Sequence, residues 1–459
     1  MAISSDLPEN IPAAVAAEVK FIKESFSVGK HTLRDITERF AEELEKGLAS
    51  HDAEIPMNVT WVTGYPNGEE TGNYITVDMG GTNLRVCQVI LTEERGGYEL
   101  TQEKFKLPPG IRDGAADELW GFTADCLDRF LTKYHMKDRS DKLPIAFTFS
   151  YPVTQNNIRH GILQRWTKGF DVSGVEGNDV VEQLERTLQR KNLPLTVAAL
   201  VNDTTGTLIA GAYKDPMIKI GSIFSTGCNA AYMEEAGSVS KISNSGLRPE
   251  TEIAINTEYG AFDNSHQVLP RTQFDETIDE ESTRPGQQTY EKMVAGYYLG
   301  ELMRLVLLHL QRRAGIFPKS DCSKLECRNA FDSTILSAIE EDGTDSRAAI
   351  RDILRRFHLE PTSCELIICA DLAETICTRA ARLFACGIAA ICRRKRIESC
   401  HVGVDGSMFS NYPKFRKRAA TALREILDWP EDSGDPIMLV PAEDGSSIGA
   451  ALIAALSLR

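Results

Sequence analysis

Short apolar and β-branched stretches alternate with helical stretches over the first 260 residues, and this alternation narrows the available folds more than any other feature. Strands are predicted at 74–79, 84–91, 143–149, 195–201, 218–224 and 253–256, with helices at 119–134 and 180–191. A sheet is expected to begin near Tyr74, after a helical pattern from 11 to about 48, and the chain beyond Tyr290 is largely helical. Such alternation is typical of an α/β architecture with mixed sheets.

The chain is long for one hydrophobic core. Its 459 residues exceed what a single core usually serves, so two domains with a cleft between them are expected. Two stretches, "ITVDMGGTNLRVCQV" and "GSIFSTGCNAAYM", both run strand, Gly and Thr turn, strand. This echo predicts two related halves.

Charge and composition exclude several classes of partner. The 51 basic and 66 acidic side chains give a net charge of -15, which would repel nucleic acid and anionic lipid. No apolar run approaches the roughly 18 residues of a membrane span, and the first 30 residues lack a targeting pattern. The 11 cysteines form no CxxC pair, which favours reduced thiols over disulfides or a zinc cluster. We therefore expect a cytoplasmic protein with no membrane or nucleic-acid partner.

The stretch "VDMGGTNLRV" has the features of a phosphate-binding turn. Gly80 and Gly81 permit a tight turn with outward N–H groups, Thr82 and Asn83 add side-chain donors, and Asp78 would lie near a metal. A plain hairpin with a glycine turn explains the same residues, because neither Walker spacing nor GxGxxG is present.

Three further Gly and Ser elements resemble this turn. "FSTGCN" offers Thr226 and Gly227, "GVDGSMF" offers Asp405, Gly406 and Ser407, and "EDGSSIGAA" lies near the C-terminus. Each element alone is weak evidence for phosphate binding, since strand-to-helix turns often have this composition. Two such hairpins facing each other would clamp a nucleotide, and four in one chain strengthen that interpretation.

Hydrogen-bonding side chains of mixed type follow several apolar segments: Ser150, Thr167, Lys168, Asn202, Asp203, Asn229 and Glu258. A polyhydroxylated ligand requires that mixture of donors and acceptors. Each residue also has an ordinary explanation: Asp203 as a helix N-cap, Lys168 as a solvated turn residue, Glu258 in a surface ion pair. Their occurrence beside phosphate-type turns favours a ligand site.

The chain resembles the hexokinases and glucokinases, those of fungi in particular, over nearly its whole length. The resemblance is carried by "VDMGGTNLRV", "FTFSYPVTQNNIRHGILQRWTKGFDVSGVEGNDV", "LVNDTTGTL", "NTEYGAFDN", "LPRTQFDETIDEESTRPGQQTYEKM" and "DGSSIGAAL". It implies an α/β chain with the actin-like ATPase (ribonuclease H-like) fold. The small domain would comprise 71–202 and 444–459, and the large domain 1–70 and 203–443, with a hexose between them.

The resemblance also implies the reaction and its residues. The 6-hydroxyl of glucose or a related hexose would be phosphorylated by ATP, the first step of glycolysis, with Asp203 as general base and Lys168 supplying positive charge. The sugar would be held by Ser150, Thr167, Lys168, Asn202, Asp203, Asn229, Glu258 and Glu291. ATP would contact Asp78, Gly80, Gly81, Thr82, Asn83, Arg85, Thr226, Gly227, Gly406 and Ser407. Mg²⁺ would be held through the ATP phosphates and water, with Asp78 nearby, in a monomer or homodimer.

Three positions depart from the family pattern on the nucleotide side. Ser225 stands where the family usually has Gly, and Ser447 and Ile448 stand where a Gly and a small or basic residue are common. If position 225 requires a positive φ, Ser costs on the order of 1 to 2 kcal/mol there. A hexose-binding sensor that transfers phosphate poorly is therefore a second hypothesis.

Other residues help to distinguish the enzyme from the sensor. Intact Asp203, Lys168 and Thr226 favour the enzyme, because a sensor has no chemical need for a base beside the sugar hydroxyl. An actin-like or chaperone ATPase without a sugar is disfavoured, since "QRWTKGF" and Glu291 would then have no role. The motifs do not fix which hexose is preferred.

Overall fold

A computed structural model of the chain describes residues 11–80, 83–137, 141–166, 170–412, 414–430 and 434–459. Within these ranges the chain forms thirteen strands: β1 (Asn58–Thr63), β2 (Gly72–Met79), β3 (Asn83–Leu91), β4 (Tyr98–Lys106), β5 (Leu143–Phe149), β6 (Val153–Thr154), β7 (Ile162–Leu163), β8 (Leu195–Val201), β9 (Ile218–Phe224), β10 (Cys228–Glu235), β11 (Glu252–Asn256), β12 (Cys400–Asp405) and β13 (Ile437–Pro441).

The same ranges contain fifteen α-helices: α1 (Ala13–Phe26), α2 (Lys30–Ala49), α3 (Ala116–Lys133), α4 (Val180–Arg190), α5 (Asp203–Lys214), α6 (Gln273–Glu281), α7 (Thr289–Val294), α8 (Gly296–Ala314), α9 (Ser323–Glu326), α10 (Ser333–Glu341), α11 (Ala348–Arg356), α12 (Ser363–Lys395), α13 (Ser407–Asn411), α14 (Phe415–Leu427) and α15 (Ala450–Ser457). A π-helical turn, Gly445–Gly449, leads into α15.

The strands form two large sheets with the same internal order. One has five strands, β4-β3-β2-β5-β8, in which β4, β3 and β2 are antiparallel and β2, β5 and β8 are parallel. The other has six, β1-β11-β10-β9-β12-β13, in which β9, β12 and β13 are parallel. Numbered along the chain, five strands of each sheet follow the order 3-2-1-4-5, so the prediction of two related halves is confirmed.

Each sheet has its own hydrophobic core. We call the described residues of 72–201, together with α15, the five-stranded half, and the rest of the described chain the six-stranded half. The core of the five-stranded half includes Trp120, Phe130 and Phe147. The larger core of the other half is built around α12 and includes Phe40, Phe224 and Phe384.

The chain crosses from one half to the other three times, first between β1 and β2, and the two later crossing segments touch each other. The chain leaves β8 through α5, which packs on β9, and returns after β13 through the π-helical turn to α15, which packs on β5. A Cβ placed on Gly206 of α5 would lie 2.4 Å from the carbonyl oxygen of Gly445, and one on Gly449 would lie 2.0 Å from the oxygen of Gly206. Only glycine allows this approach of two backbones.

The structure corrects two predictions about strands and helices. The sheets begin before Tyr74, because β1 pairs antiparallel with β11 at the edge of the six-stranded sheet. The helical pattern from 11 to 48 is two helices, since the chain is non-helical at Ser27–Gly29. Strand β4, which sequence reasoning did not identify, is rich in charged and exposed residues and so lacks the apolar signal of the other strands.

Helix α12 corrects the expectation about apolar length. Over its most apolar 18 residues the mean hydropathy is 1.4, so length and composition alone would permit it to cross a membrane. However, 89% of that window is buried inside the protein, where α2, α8 and α14 pack against the helix. A helix that is apolar on all sides is expected at the centre of a large core.

Substituting Gly206→Ala should lower the free energy of unfolding by about 1–3 kcal/mol, because the new methyl group would overlap the Gly445 carbonyl oxygen. The matched control is Gly121→Ala in α3, where an added Cβ meets no atom within 4 Å. That change should instead stabilise the protein by up to about 1 kcal/mol. Urea unfolding followed by circular dichroism measures both, and equal effects would contradict the packing argument.

Candidate active site

The carboxyl ends of the parallel strands bring the predicted residues together. In the five-stranded sheet, β2 ends beside Asp78, β5 ends before Ser150 and β8 ends before Asn202. In the six-stranded sheet, β9 ends before Ser225 and β12 ends at Asp405. Ligands of open α/β sheets bind at this edge, and the crossing segments place the two edges next to each other.

Asp203 occupies the first turn of α5, and its neighbour supplies the cap. The Asn202 side chain accepts a hydrogen bond from the Thr204 N–H at 2.9 Å, so Asn202 is the N-cap and the alternative that Asp203 caps the helix is wrong. Asp203 Oδ1 accepts from the Thr204 N–H at 2.8 Å. No described residue donates a hydrogen bond to its other oxygen, Oδ2, and the residue is half-buried.

Several carboxylates converge around one guanidinium. Arg85 donates to Asp78 Oδ2 at 3.1 Å and also to Ser446 Oγ. Burial raises the pKa of Asp78 above its ordinary value, against the lowering effect of Arg85, and repulsion from Asp203 adds to the rise. Burial, followed by repulsion from Asp203 and Asp444, raises the pKa of Asp405 to about 6. The negative charge at this point exceeds what Arg85 neutralises.

The second hairpin is held against α13 by a glycine. Gly406 has a φ of 133°, and a Cβ there would lie 2.3 Å from the Phe224 carbonyl oxygen, so the position requires glycine. This approach brings the hydroxyl oxygens of Ser225 and Ser407 to 3.1 Å. Thr226 at the tip of the hairpin is exposed and therefore accessible to a ligand.

A buried amide network orients Glu258. Asn229 Nδ2 donates to Glu258 Oε1 at 3.1 Å, and Asn256 Nδ2 donates to the same oxygen at 2.9 Å. Asn229 Oδ1 accepts the Glu258 N–H at 3.0 Å, which holds this residue in the left-handed region at φ 54°. Such strain in a non-glycine residue is typical of functional sites, and two amide groups donate to the same oxygen of Glu258.

Asn256 is the site residue that sequence reasoning missed. It is 4% exposed, and its Oδ1 accepts from Asn229 Nδ2 at 2.7 Å. The signal was available, because the motif "NTEYGAF" begins with this residue at the end of an apolar strand.

Glu291 lies against the second hairpin. Its Oε2 accepts the Cys228 N–H at 3.1 Å, and a Cβ on Gly227 would lie 2.7 Å from that oxygen. Gly227, predicted as a phosphate contact, thus also makes room for a carboxylate predicted to bind sugar. The hairpin therefore joins the two predicted subsites.

Packed aromatic rings support Ser150. It lies between Phe149 and Tyr151, whose ring centroids are 4.7 Å apart. Trp166 packs edge-on against Tyr151 at 4.8 Å and stacks on Phe170 at 5.4 Å. The same cluster thus brackets both Ser150 and the segment 167–169.

Four predicted site residues, Gly81, Thr82, Thr167 and Lys168, lie outside the described residues, so their contacts stay predictions. Of the other predicted nucleotide contacts, Gly80 donates its N–H to the Asn83 carbonyl oxygen at 3.1 Å, which closes the first hairpin.

The departing positions cause no backbone strain. Ser225 is not among the residues with positive φ, so its replacement of a family glycine costs no left-handed conformation. The side chains of Ser447 and Ile448 are fully buried, and Ile448 packs in the core beside α5 and α15.

Comparisons with known proteins agree with this geometry. Two sequence profiles, each described as Hexokinase, match residues 18–213 and 219–456. The chain is 52% identical over 458 residues to a hexokinase of Emericella nidulans, covering 99% of this chain and 93% of that protein. It is 45% identical over 454 residues to Hexokinase-1 of Saccharomyces cerevisiae, and the match covers 98% of this chain and 93% of that protein. A hexokinase of Schistosoma mansoni, solved in complex with glucose, superposes with a TM-score of 0.87 at 36% identity. The superposition covers 96% of this chain and 98% of that one.

The paired sheets and the polar edge between them define a sugar kinase with the actin-like ATPase fold. Within that class, the matching profiles and relatives identify the family. The chain belongs to the hexokinases, the ATP-dependent kinases of hexose sugars.

Removing the charge of Asp405 should stabilise the protein without its ligands. Because the folded-state pKa of about 6 lies above the value of 3.8 for an unperturbed Asp, stability falls as the pH rises from about 4 through 6. An Asn at position 405 does not ionise, so Asp405→Asn avoids this loss of stability. The variant should raise the free energy of unfolding by about 1–2 kcal/mol at pH 7.5.

Urea unfolding between pH 5 and 8 measures this difference, which should shrink toward the acidic end. Asp35→Asn, an exposed residue of α2, is the control and should show no such trend. A difference for Asp405→Asn that is absent at pH 7.5 would contradict the carboxylate-repulsion argument.

Proposed function

We propose that this chain transfers the γ-phosphoryl group of ATP to the 6-hydroxyl of glucose and related hexoses, and that it does so in the cytoplasm as the first step of glycolysis. The observation that carries the proposal is Asp203, a half-buried carboxylate at the start of α5 that lies close enough to Asp78 and Asp405 to raise the pKa of both. Formation of hexose 6-phosphate from glucose, ATP and Mg²⁺ by the purified protein is the direct test.

Asp203 is proposed as the general base. Asp203 Oδ2, which receives no hydrogen bond from a described residue, would accept the proton of the sugar 6-hydroxyl as its oxygen attacks the γ-phosphorus. Because phosphoryl transfer depends mainly on positioning and charge stabilisation, a carboxylate of ordinary basicity is sufficient. Lys168 is proposed to supply positive charge beside the transferred group.

The sugar hydroxyls are proposed to bind to the residues that the resemblance implies. The amides of Asn229 and Asn256 fix the Glu258 carboxylate, and the Cys228 N–H fixes Glu291. Carboxylates held in this way accept hydrogen bonds from hydroxyl groups in fixed directions, which orients the sugar for attack. Ser150, Thr167 and Asn202 would complete the shell.

The nucleotide is proposed to lie across the two hairpins with Mg²⁺ on its phosphates. The excess of carboxylates around Arg85 fits a divalent cation, because its charge would relieve the repulsion among Asp78, Asp203 and Asp405. When bound, Mg²⁺ neutralises phosphate charge that would otherwise repel the attacking oxygen. Asp78 would act through water, and the hydroxyls of Thr226 and Ser407 would contact phosphate oxygens.

The two domains are proposed to divide at the crossing segments, with 71–202 and 444–459 as the small domain and 1–70 and 203–443 as the large domain. A hydrophobic core on each side of the crossing segments supports this division, and a third buried cluster around α5 and α15 joins the two. Closure of these domains over the sugar would exclude water from the phosphoryl group. A monomer or homodimer is proposed for the assembly.

Substituting Asp203→Ala should lower turnover by about 10² or more while glucose affinity is retained, because the base acts on the hydroxyl only during transfer. A coupled assay measures turnover and isothermal titration calorimetry measures glucose binding. The helix should remain capped in this variant, since Asn202 is the N-cap. Equal losses of turnover and affinity would contradict the assignment.

Substituting Ser225→Gly should leave activity within a few-fold, because Ser225 adopts an ordinary backbone conformation and, among the described residues, its hydroxyl is hydrogen-bonded to Ser407 alone. Initial rates at varied ATP test this expectation. A large gain in activity would show that Ser225 impairs the loop and would revive the sensor hypothesis.

A further inference from the structure

Hydrogen bonds cross between the halves on both sides of one segment. Trp61 of β1 donates its indole N–H to the Gln155 carbonyl oxygen at 2.9 Å. Arg284 donates from Nη2 to the Trp166 carbonyl oxygen at 3.0 Å. Both donors belong to the six-stranded half, and both acceptors belong to the segment that runs from Ser150 to the residues before Thr167.

The acceptor at Trp166 is rigid and adjoins the proposed sugar ligands. The Trp166 ring is 2% exposed, its indole donates to the Val172 carbonyl oxygen at 3.0 Å, and it packs on Tyr151 and Phe170. Thr167 and Lys168 follow it directly in the sequence. A displacement of Trp166 would therefore also displace Tyr151, the residue next to Ser150.

The loop that carries the donor, Arg284, is also held by several hydrogen bonds. The Arg284 carbonyl oxygen accepts from Lys292 Nζ at 2.8 Å, and Lys292, 5% exposed, also donates to Asp279 at 2.6 Å. Asp279 accepts the Gly286 N–H with both oxygens at 3.0 Å. Burial opposes ionisation of this carboxylate, but Lys292 and Gly286 hold the pKa of Asp279 below its ordinary value. The loop that carries Arg284 is thus tied to the helix that carries Glu291.

We propose that Arg284 is a positioning residue that clasps the two halves together over the sugar, by fixing the Trp166 carbonyl oxygen and, through the Tyr151 ring that packs on Trp166, the neighbouring Ser150. This inference rests on the proposed function for the identity of the sugar. The bond exists only while the halves are close, so it favours the closed arrangement in which ligands from both halves surround the hexose. A sugar that must close the protein without this bond binds more weakly.

Arg284→Gln should raise the KM for glucose about tenfold, because a charge-assisted hydrogen bond is lost. Turnover at saturating glucose should stay within about twofold, since enough sugar still drives closure. Arg284→Lys, which keeps a donor, should restore part of the affinity. The control is Arg248→Gln, an 84% exposed side chain whose ion pair with Glu250 spans 3.7 Å, and it should match the unmodified protein.

A second readout does not depend on catalysis. In small-angle X-ray scattering, the radius of gyration of Arg284→Gln should reach the unmodified value at saturating glucose, but with a titration midpoint about tenfold higher. A midpoint within twofold of the unmodified protein, or a loss of turnover with unchanged KM, would overturn the clasp. Failure of the unmodified protein to phosphorylate glucose would instead overturn the proposed function, because the scattering titration compares variants without turnover.

Discussion

The close approach of α5 to the turn before α15 is the contact on which the rest of the structure depends. Gly206 and Gly449 let two backbones meet where any side chain would separate them. Since each segment starts in one sheet and packs on the other, this contact sets the distance between the halves. It therefore also sets the distance between Asp78, at the end of β2, and Asp405, at the end of β12.

Bringing these edges together concentrates like charge, and the protein tolerates this cost. Burial and mutual repulsion raise the pKa values of Asp78 and Asp405, while Arg85 offsets only part of the repulsion. Large hydrophobic cores on both sides stabilise the arrangement. A site that is unfavourable for the free protein is favourable for a cationic or cation-bearing ligand, which is what a nucleotide with Mg²⁺ would bring.

The proposed site side chains are held in place by the residues packed around them. The aromatic cluster around Tyr151 and Trp166 holds the proposed sugar ligands of one half, and the amide network around Glu258 holds those of the other. Arg284 links the two groups through the Trp166 carbonyl. A ligand bound between them would thus contact groups whose directions are already set.

The sequence by itself determined the strands and the polar positions at their ends. The predicted strands at 143–149, 195–201 and 218–224 coincide with β5, β8 and β9, because apolar runs that end in turn residues are a local signal. Strand β4 was not predicted because its charged and solvated residues lack that signal, whereas β1 has β-branched and aromatic residues but lies before the predicted start of the sheet. The proposed site residues also came from motifs, since Asp203, Glu258 and Glu291 stand within the long stretches that carry the family resemblance.

Only the tertiary structure decided how these residues act together. Local sequence does not distinguish Asn202 from Asp203 as the cap of α5, and it does not show which group Asn256 orients or that Arg284 reaches Trp166. The first two contacts join residues two positions apart and depend on the local turn, whereas the Arg284–Trp166 contact joins residues 118 positions apart and depends on how the halves pack. Spacing along a chain fixes the periodicity of helices and strands, whereas side-chain partners across a fold are fixed by packing, which the one-dimensional pattern does not contain.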